Sequence, residues 1–543
     1  MNSRSFLRSP FAIPAMTTDP TTAQVKLAQF LSHADGQLLC NNLTGLEKES
    51  LRVLPDGSIS TKPHPPILGS PLTHPYITTD FSEALLELIT PPGNTDQSLG
   101  FLDELHRFIY PHLNEEYLWA ASMPCILHGE ENIPIAHYGS SARGLMKHIY
   151  RVGLGNRYGR VMQVIAGVHF NFSLHENAWK ALHELSGKQA SLQDFISESY
   201  MGLVRNLQRI GWLVPYLFGA SPAVCESFFA GRHSILPRFD AHTLYEPYAT
   251  SLRMGDMGYT NAKEGETGIK ANYDSLIAYI ESLECAIRTP CKLYSKLGVK
   301  ANGEYRQLND HILQIENEYY STIRPKPIHG TDERPTRALR KGGIRYVELR
   351  SLDLNIFSPL GIDRIQAAFL EAMLLCCLFA ESPPIGKEER QMIDINFSLV
   401  AHRGRQPGLM LRVDGGQHPL QEWGMEILEA IRPFCKLLDA NSEKPLYCQA
   451  LEEQSNKIQH PERTPSAKIL DEMESNSEGF HDLSRRYALL HRDYFLARPL
   501  PDERENFFME IARDSIRRQK EIEANEDGNI DAYLQKYFED EAP

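Results

Sequence analysis

The sequence predicts an α+β fold, in which an antiparallel sheet carries helices packed against one of its faces. The first indication is a set of short segments with the apolar and polar alternation of a β-strand, separated by helical segments. The second is the absence of a regular strand–helix–strand rhythm and of a glycine-rich strand-to-helix turn, both of which a parallel sheet would show. The alternating segments are residues 43–53, 84–90, 168–174, 313–320 and 344–352.

The chain divides into three predicted regions. Residues 1–24 contain an apolar stretch too short for a signal-peptide core, so we expect a disordered N-terminal extension. Residues 25–360 contain all of the strand-like segments and form the predicted α+β domain. Residues 361–543 form a mostly helical C-terminal region packed on that domain. The long helical patterns of this last region are residues 362–380, 423–438 and 502–523.

Composition limits the class of protein. With 543 residues, of which 42% are hydrophobic, the chain can bury a large core. Its formal net charge of −14 argues against a nucleic-acid-binding surface, so any phosphate or carboxylate site must concentrate Arg and Lys locally. Glu371 interrupts the longest apolar run, which is shorter than the roughly 20 residues of a membrane span. Nine cysteines without C-x-x-C spacing predict a reducing, cytoplasmic location.

The first polar pattern lies in the segment TGLEKESLRV, residues 44–53. Glu47 and Glu49 lie on the same side of a strand as Leu51 and Val53. At roughly 6–7 Å apart, the two carboxylates would repel one another in a low dielectric unless a cation lay between them. Mg²⁺ would supply that cation. The alternative is a twisted edge strand with both acids in solvent.

The second pattern lies in residues 78–90. Glu83 and Glu87 are four residues apart, so they share a face in a strand and in a helix alike. A helix would make Asp80 an N-cap and Glu83 its capping-box partner. We favour a strand that ends at Thr90, before two prolines, which leaves Asp80 and the two glutamates available as metal ligands.

Two further strands carry polar residues on one face only. In residues 167–174, His169, Asn171 and Ser173 lie opposite an apolar face. A strand with a solvated outer face would look the same, and a lone His is more often structural than a ligand.

In residues 342–352, Tyr346, Glu348 and Arg350 share a face. Glu348 and Arg350 would form a cross-strand ion pair, or would hold a cation and a transferring phosphoryl group beside a bound triphosphate. The sequence has no P-loop, no H-E-x-x-H and no G-x-S-x-G motif, and it lacks the dinucleotide fingerprint. Nucleotide binding on this sheet would therefore depend on metal ions.

Taken in order, these segments resemble the proteobacterial-type glutamate–cysteine ligases. The likeness extends from about residue 35 to about residue 520 and is looser in the C-terminal half. The segments that carry it are GLEKESLR (45–52), TDFSEALLE (79–87), NRYG (156–159), VHFNFS (168–173), PYLFGASP (215–222), LQIENE (313–318), RPK (324–326) and ELRSLD (348–353).

The resemblance implies a fold similar to the catalytic half of glutamine synthetase, with a curved antiparallel sheet that forms a funnel for ATP and several Mg²⁺ ions, or Mn²⁺ in their place. Residues 25–360 would be the catalytic domain. Arg350 would stabilise the γ-phosphoryl group during transfer. The implied metal ligands are Glu47, Glu49, Asp80, Glu87, His169 and Glu348. The implied substrate-binding residues are Phe81, Tyr150, Leu154, Gln163, Tyr259 and Tyr320 around cysteine, with Arg151 and Arg253 on substrate carboxylates.

The implied reaction joins the γ-carboxylate of L-glutamate to the amine of L-cysteine through a γ-glutamyl phosphate, with ATP as a substrate. The resemblance also implies a monomer that glutathione inhibits by feedback, and no fused glutathione synthetase activity is expected. One alternative is a ligase that joins glutamate to a different amine, with the pocket around Tyr150, Tyr259 and Tyr320 altered. Another is a non-catalytic metal-dependent binding protein, which predicts a missing acid where the sequence has none missing.

Overall fold

The computed structural model describes residues 20–124, 126–229, 231–232, 234–258, 270–328, 330, 333–440, 443–526 and 528–539. The strands are β1 Leu43–Val53, β2 Ile77–Thr79, β3 Leu85–Ile89, β4 Tyr117–Leu118, β5 Val168–Ser173, β6 Ala223–Cys225, β7 Thr243–Tyr245, β8 Lys300–Ala301, β9 Glu304–Tyr305, β10 Ile323–Lys326, β11 Tyr346–Leu352, β12 Met410–Val413 and β13 Gly416–Pro419.

The helices of the described residues are α1 Pro20–His33, α2 Thr95–Ile109, α3 Ala142–Tyr158, α4 Glu176–Ser186, α5 Leu192–Ile210, α6 Leu213–Phe218, α7 Leu276–Arg288, α8 Lys292–Ser295, α9 Pro335–Gly342, α10 Arg364–Phe379, α11 Lys387–Arg403, α12 Leu420–Leu438, α13 Leu446–Gln459, α14 Pro465–Asn476, α15 Phe480–Leu496, α16 Asp502–Asn525 and α17 Ile530–Glu539.

The main sheet has the strand order β10-β11-β5-β1-β3-β2, with β4 paired to one end of β1. All of its pairings are antiparallel. Pro325 lies in β10, an edge strand, where the missing N–H breaks no ladder hydrogen bond. The antiparallel α+β class expected from the sequence is confirmed.

Helices α2, α5 and α10 pack behind the sheet, and the buried hydrophobic cluster reaches from Ala23 to Phe508. It therefore includes residues on both sides of the predicted boundary at residue 360, and that boundary remains a prediction. In α10, three hydrogen-bond donors surround the buried carboxylate of Glu371, which is how this apolar helix tolerates an acid. Among the described residues, none of the helices combines the length and apolarity needed to cross a bilayer.

Two sequence expectations need correction. Residues 313–320 form no strand; they contain a 3₁₀ turn, Glu316–Glu318, because both glutamates bond to side chains outside the segment. Arg334 and Thr336 bind Glu316. The expected N-terminal extension also differs: α1 begins at Pro20 and includes residues 20–24, while residues 1–19 lie outside the described part of the chain.

Candidate active site over the central strands

The register of four neighbouring strands sets the polar face of the sheet. Glu47 on β1 lies opposite His169 on β5, and Glu49 on β1 lies opposite Glu87 on β3. Glu348 on β11 lies opposite the residue two positions after His169. Directly opposed side chains have Cβ atoms about 4.5–5.5 Å apart. Strand pairing alone therefore brings four carboxylates and one imidazole side by side.

His169 stands at the centre of this group. Its Nδ1 atom is 3.2 Å from Glu47 Oε2 and 3.9 Å from Glu348 Oε1, and its Nε2 atom is 3.9 Å from Glu49 Oε1. Two sets of three side chains offer ligand atoms within 4.8 Å of one another: Glu47, His169 and Glu348, and Glu49, Glu87 and His169. A divalent cation could bind to either set.

Cationic side chains approach the same carboxylates from β10 and β11. Lys326 Nζ is 3.3 Å from Glu348 Oε1, and Arg350 Nη1 is 3.2 Å from Glu348 Oε2. Arg324 lies directly opposite Glu348 in the ladder, two residues before Lys326. Acidic and basic groups therefore meet along one edge of the site, an arrangement that can hold both a metal ion and a phosphate.

The carboxylates of the two sets differ in their affinity for protons. Burial, followed by the charge of Asp80, raises the pKa of Glu87 well above its ordinary value, and the same two causes raise the pKa of Glu49. Burial also opposes ionisation of Glu348, but the charges of Lys326 and Arg350 outweigh it and hold its pKa well below the ordinary value. Negative charge is thus compensated on the β11 side and uncompensated on the β3 side.

This imbalance fits a divalent cation. Carboxylate oxygens are the ligands that Mg²⁺ prefers, and imidazole is accepted by Mn²⁺. Glu49 and Glu87 face each other in the ladder, and burial raises the pKa of both, so both would ionise together only with a cation between them. The donor set is therefore the one expected of a metal site.

Helix α3 forms the wall of the cavity above the sheet. Ser141 caps its first turn, and Arg143, Lys147 and Arg151 follow at four-residue spacing on one face. The cavity between this face and the sheet has a volume of about 530 Å³. Burial, followed by the charge of Arg151, lowers the pKa of Lys147 to about 8.

Two contacts fix the C-terminal half of this wall. Arg157 Nη1 lies 2.8 Å from Glu318 Oε1 with both side chains fully buried, which joins α3 to the Glu316–Glu318 turn. Gly153 faces Gln314 so closely that a Cβ atom would come within 2.0 Å of Gln314 Oε1. A larger residue at Gly153 would require the buried Gln314 side chain to move.

The structure brings most of the expected site residues to this one cavity. Among the residues assigned as metal ligands, all six line it, although Asp80 lies outside both sets of three and faces Arg151 at 3.5 Å. Arg350 lines it as well. The expected substrate-binding residues that line it are Tyr150, Arg151, Leu154, Gln163, Arg253 and Tyr320.

Two expected residues lie elsewhere, and a third is outside the part of the chain that the structure describes. Phe81 is buried beneath α3 beside Gly155 and does not line the cavity. Tyr259 lies outside the described residues. Glu83 does not share the polar face with Glu87; its carboxylate accepts hydrogen bonds from the backbone N–H groups of His64 and His137 and serves the fold of the β2–β3 connection.

The two arginines expected to hold substrate carboxylates already contact carboxylates of the chain. Arg151 Nη2 is 3.5 Å from Asp80 Oδ1, and Arg253 Nη1 is 3.5 Å from Asp353 Oδ1. Arg253 also donates to the backbone carbonyl of Arg350. Arg253 thereby supports the backbone of β11 at the residue expected to act on the phosphoryl group.

Sequence reasoning missed several lining residues. Arg324 and Lys326 alternate on β10, and Arg143 and Lys147 precede Arg151 at helical spacing, so both patterns were visible in the sequence. Tyr533 and Tyr537 of α17 also line the cavity, although they follow Arg143 and Lys147 by nearly 400 residues in sequence. No local pattern could have assigned them to this site.

Comparison with known proteins places the chain among ligases. The family model described as glutamate-cysteine ligase matches residues 27–400. A glutamate–cysteine ligase from Pseudomonas aeruginosa is 48% identical over 514 residues, covering 94% of this chain and 97% of the relative. One from Alcanivorax borkumensis is 46% identical over 503 residues, covering 91% of this chain and 95% of the relative.

Solved structures give the same relationship. The glutamate–cysteine ligase of Francisella tularensis, crystallised in complex with AMP, superposes with a TM-score of 0.86 and 36% identity, covering 92% of this chain and 98% of that one. A bifunctional glutathione synthetase from Pasteurella multocida superposes with a TM-score of 0.70 and 26% identity, covering 91% of this chain and 58% of that one. The shared fold extends over nearly the whole of this chain.

Proposed function

Because this chain belongs to the glutamate–cysteine ligase family, we propose that the cavity over β11, β5, β1 and β3 is where it joins the γ-carboxylate of L-glutamate to the amine of L-cysteine. The reaction uses ATP and gives γ-glutamylcysteine, ADP and phosphate, the first step of glutathione biosynthesis. The observation that carries the location is the pair of three-residue ligand sets that share His169, beside Arg350.

Mg²⁺, or Mn²⁺ in its place, would be held by Glu47, Glu348 and His169 in one set and by Glu49 and Glu87 in the other. A neutral imidazole has one free nitrogen, so His169 serves one ion at a time. When bound, such ions neutralise the carboxylates and the charge of the triphosphate. Asp80, which lines the same cavity, would be the sixth ligand.

Arg350 is the residue we assign to phosphoryl transfer. Its guanidinium lies between Glu348 and His169, where three equatorial phosphoryl oxygens would receive its hydrogen bonds. An oxygen of the glutamate γ-carboxylate bonds to the γ-phosphorus as the bond to ADP breaks. The cysteine amine then attacks the acyl carbon, loses its proton, and phosphate leaves.

The C-terminal half of α3 supports a cysteine pocket. Tyr150, Leu154, Gln163 and Tyr320 line the cavity, and burial raises the pKa of Tyr150 and Tyr320, so both hydroxyls stay neutral hydrogen-bonding groups. Phe81 belongs to this pocket as support beneath α3. The family position of Tyr259 makes it a further member.

The remaining proposals concern the setting of the enzyme. We assign it to the cytoplasm, as a monomer inhibited by glutathione at this same cavity. Seven of the described cysteines are free thiols, which agrees with a reducing compartment, while Cys225 is disulfide-bonded.

The decisive test is ADP release by the purified protein with Mg²⁺, ATP and glutamate, compared between cysteine, 2-aminobutyrate, serine, ammonia and no amine. We expect the strongest stimulation with cysteine, and γ-glutamylcysteine as the product by mass spectrometry. Stimulation by another amine alone would keep the phosphoryl chemistry and replace the second substrate. No stimulation by any amine would leave a metal-dependent binding protein.

A further inference from the structure

One part of the cavity wall is aromatic and apolar, and the reaction scheme gives it no role. This rim is formed by Met146, Ile315, Pro335, Tyr533 and Tyr537, and four of the five pack in one hydrophobic cluster. None of the five side chains is charged, whereas most of the other side chains that line the cavity are.

The two tyrosines come from α17, which contacts α3 and reaches the main core through Phe538. Leu534 of this helix packs with Met146, Ile149 and Leu308 in a small hydrophobic cluster of its own. An ion pair between two exposed side chains also holds this helix: Lys300 Nζ lies 2.6 Å from Asp531 Oδ1. The position of α17 is therefore set by a few contacts, and those contacts are made with the walls of the cavity.

Within this helix, Tyr533 and Tyr537 are one turn apart and their rings are nearly parallel, at 6.4 Å between centroids and 20° between planes. Tyr537 also lies 6.0 Å from the guanidinium of Arg334. Both tyrosines are half-buried and line the cavity. Such a pair presents flat aromatic surface, which favours a flat aromatic ligand.

Only one of the three substrates has a part of this kind. Glutamate and cysteine are small and charged, while ATP ends in a planar purine. On the N-terminal half of α3, Arg143 and Lys147 line the cavity together with Met146 of the rim. A nucleotide on this wall would place its base on the aromatic rings and its phosphates on the two cations.

We propose that Tyr533 and Tyr537 of α17 bind the adenine base of ATP, so that the affinity of the enzyme for nucleotide depends on the docking of this helix. The inference rests on the proposed function, because it takes ATP as the nucleotide. It assigns a substrate-binding role to a helix beyond the residues 27–400 that the family model matches.

The test compares the wild type with Tyr533→Ala/Tyr537→Ala in the ligase assay. Loss of a stacked base is expected to raise the KM for ATP roughly ten- to hundredfold. The KM values for glutamate and cysteine should stay within about twofold, because neither substrate has an aromatic part that could stack on these rings. With inorganic tripolyphosphate, which has no base, the double variant and the wild type should bind equally weakly in calorimetry.

Three further variants separate stacking from structural damage. Tyr533→Phe/Tyr537→Phe keeps both rings and should recover most of the lost ATP affinity. Asp531→Asn breaks the tether to Lys300 without touching a ring and should raise the KM for ATP by a smaller factor. Lys536→Ala, an exposed residue of the same helix, is the matched control and should behave as wild type. Thermal unfolding checks that each variant is folded.

An ATP KM within twofold of wild type in the alanine pair would overturn the inference, and so would an equal rise in the KM for cysteine. Binding of ADP in the presence of Mg²⁺, measured by calorimetry, distinguishes the two levels of failure. If the wild type has no ligase activity but binds ADP more tightly than the alanine pair does, the proposed function fails and the base site stands. If the wild type is active and ADP affinity is unchanged, only the base site fails.

Discussion

At the scale of single residues, the site depends on how charges compensate one another in a buried place. Arg350 is the clearest case: burial opposes its charge, but Glu348 and Glu49 outweigh that cost and raise its pKa. The guanidinium is therefore permanently charged and fixed in place before a substrate arrives. A fixed charge costs no reorganisation when the phosphoryl group is transferred.

We expect Arg350→Ala to lower kcat by 10²–10³-fold, on the order of 3–4 kcal/mol of transition-state stabilisation. The reason is the loss of the one guanidinium aimed between Glu348 and His169. Steady-state rates of ADP formation measure the effect. Arg345→Ala, on the exposed part of the chain just before β11, is the matched control and should keep wild-type rates. Near-normal turnover in the Arg350 variant would contradict the assignment.

At the scale of elements, strand β1 is buried on both faces. Its cavity face carries Glu47 and Glu49, and its other face carries Lys48, whose Nζ atom is 2.7 Å from His106 Nε2 on α2. The His106 Nδ1–H donates to the carbonyl of Leu102, so Nε2 is the acceptor of the pair. Strand β1 thus carries Glu47 and Glu49 on one face and Lys48 on the other, and no ion pair joins the two faces.

Burial lowers the pKa of Lys48 to about 7 from 10.5. The unfolded chain therefore binds the proton more tightly, and this group makes the protein less stable as pH falls from 10.5 to 7, with the full cost present below 7. We expect the free energy of unfolding of Lys48→Met, minus that of the wild type, to fall by on the order of 2–3 kcal/mol from pH 7 to 9.5. Denaturant unfolding at several pH values measures it.

Lys62→Met is the control for that experiment, because Lys62 is exposed and its replacement should give a difference that does not vary with pH. A difference that is equally flat for Lys48→Met would show that the folded protein keeps Lys48 charged.

Helix α3 depends in the same way on the buried pair Arg157 and Glu318. We expect Arg157→Ala to destabilise the protein by about 3–5 kcal/mol, because it leaves the Glu318 carboxylate buried without its cation. Thermal or denaturant unfolding measures the loss. In a double-mutant cycle, Arg157→Ala/Glu318→Ala should lose less than the sum of the two single variants. Additive losses would mean that the pair contributes no coupling.

At the scale of the whole molecule, the uncompensated acids link metal binding to folding. Burial and the neighbouring Asp80 raise the pKa of Glu87, so its ionised form destabilises the folded protein above that pKa and the cost is relieved as pH falls through it. A divalent ion relieves the same cost at neutral pH. Binding of a divalent ion should therefore stabilise the folded protein.

We expect Mg²⁺ to raise the melting temperature of the protein, with about 2.7 kcal/mol of stabilisation at a hundredfold excess over Kd. Without metal at pH 8, Glu87→Gln should be more stable than wild type, because a neutral amide avoids the cost that burial and Asp80 place on ionising this carboxyl group. The same variant should lose most of its Mg²⁺-dependent rise. Differential scanning calorimetry with and without Mg²⁺ measures both effects.

Glu83→Gln is the matched control for the metal experiment. Its carboxylate accepts two backbone hydrogen bonds, so the change should destabilise the protein while the Mg²⁺-dependent rise is preserved. An equal Mg²⁺ effect in wild type and Glu87→Gln would remove Glu87 from the ligand set.

The sequence by itself determined the fold class, the strands β1, β3, β5 and β11, and the polar face that Glu47, Glu49, His169 and Glu348 share, because strand periodicity is a local property of the chain. The family likeness added the reaction. Only the tertiary structure decided that Glu83 serves the β2–β3 connection, that residues 313–320 form a turn, and that α17 lines the cavity. Each of these depends on partners outside the local segment, which a local sequence pattern does not contain.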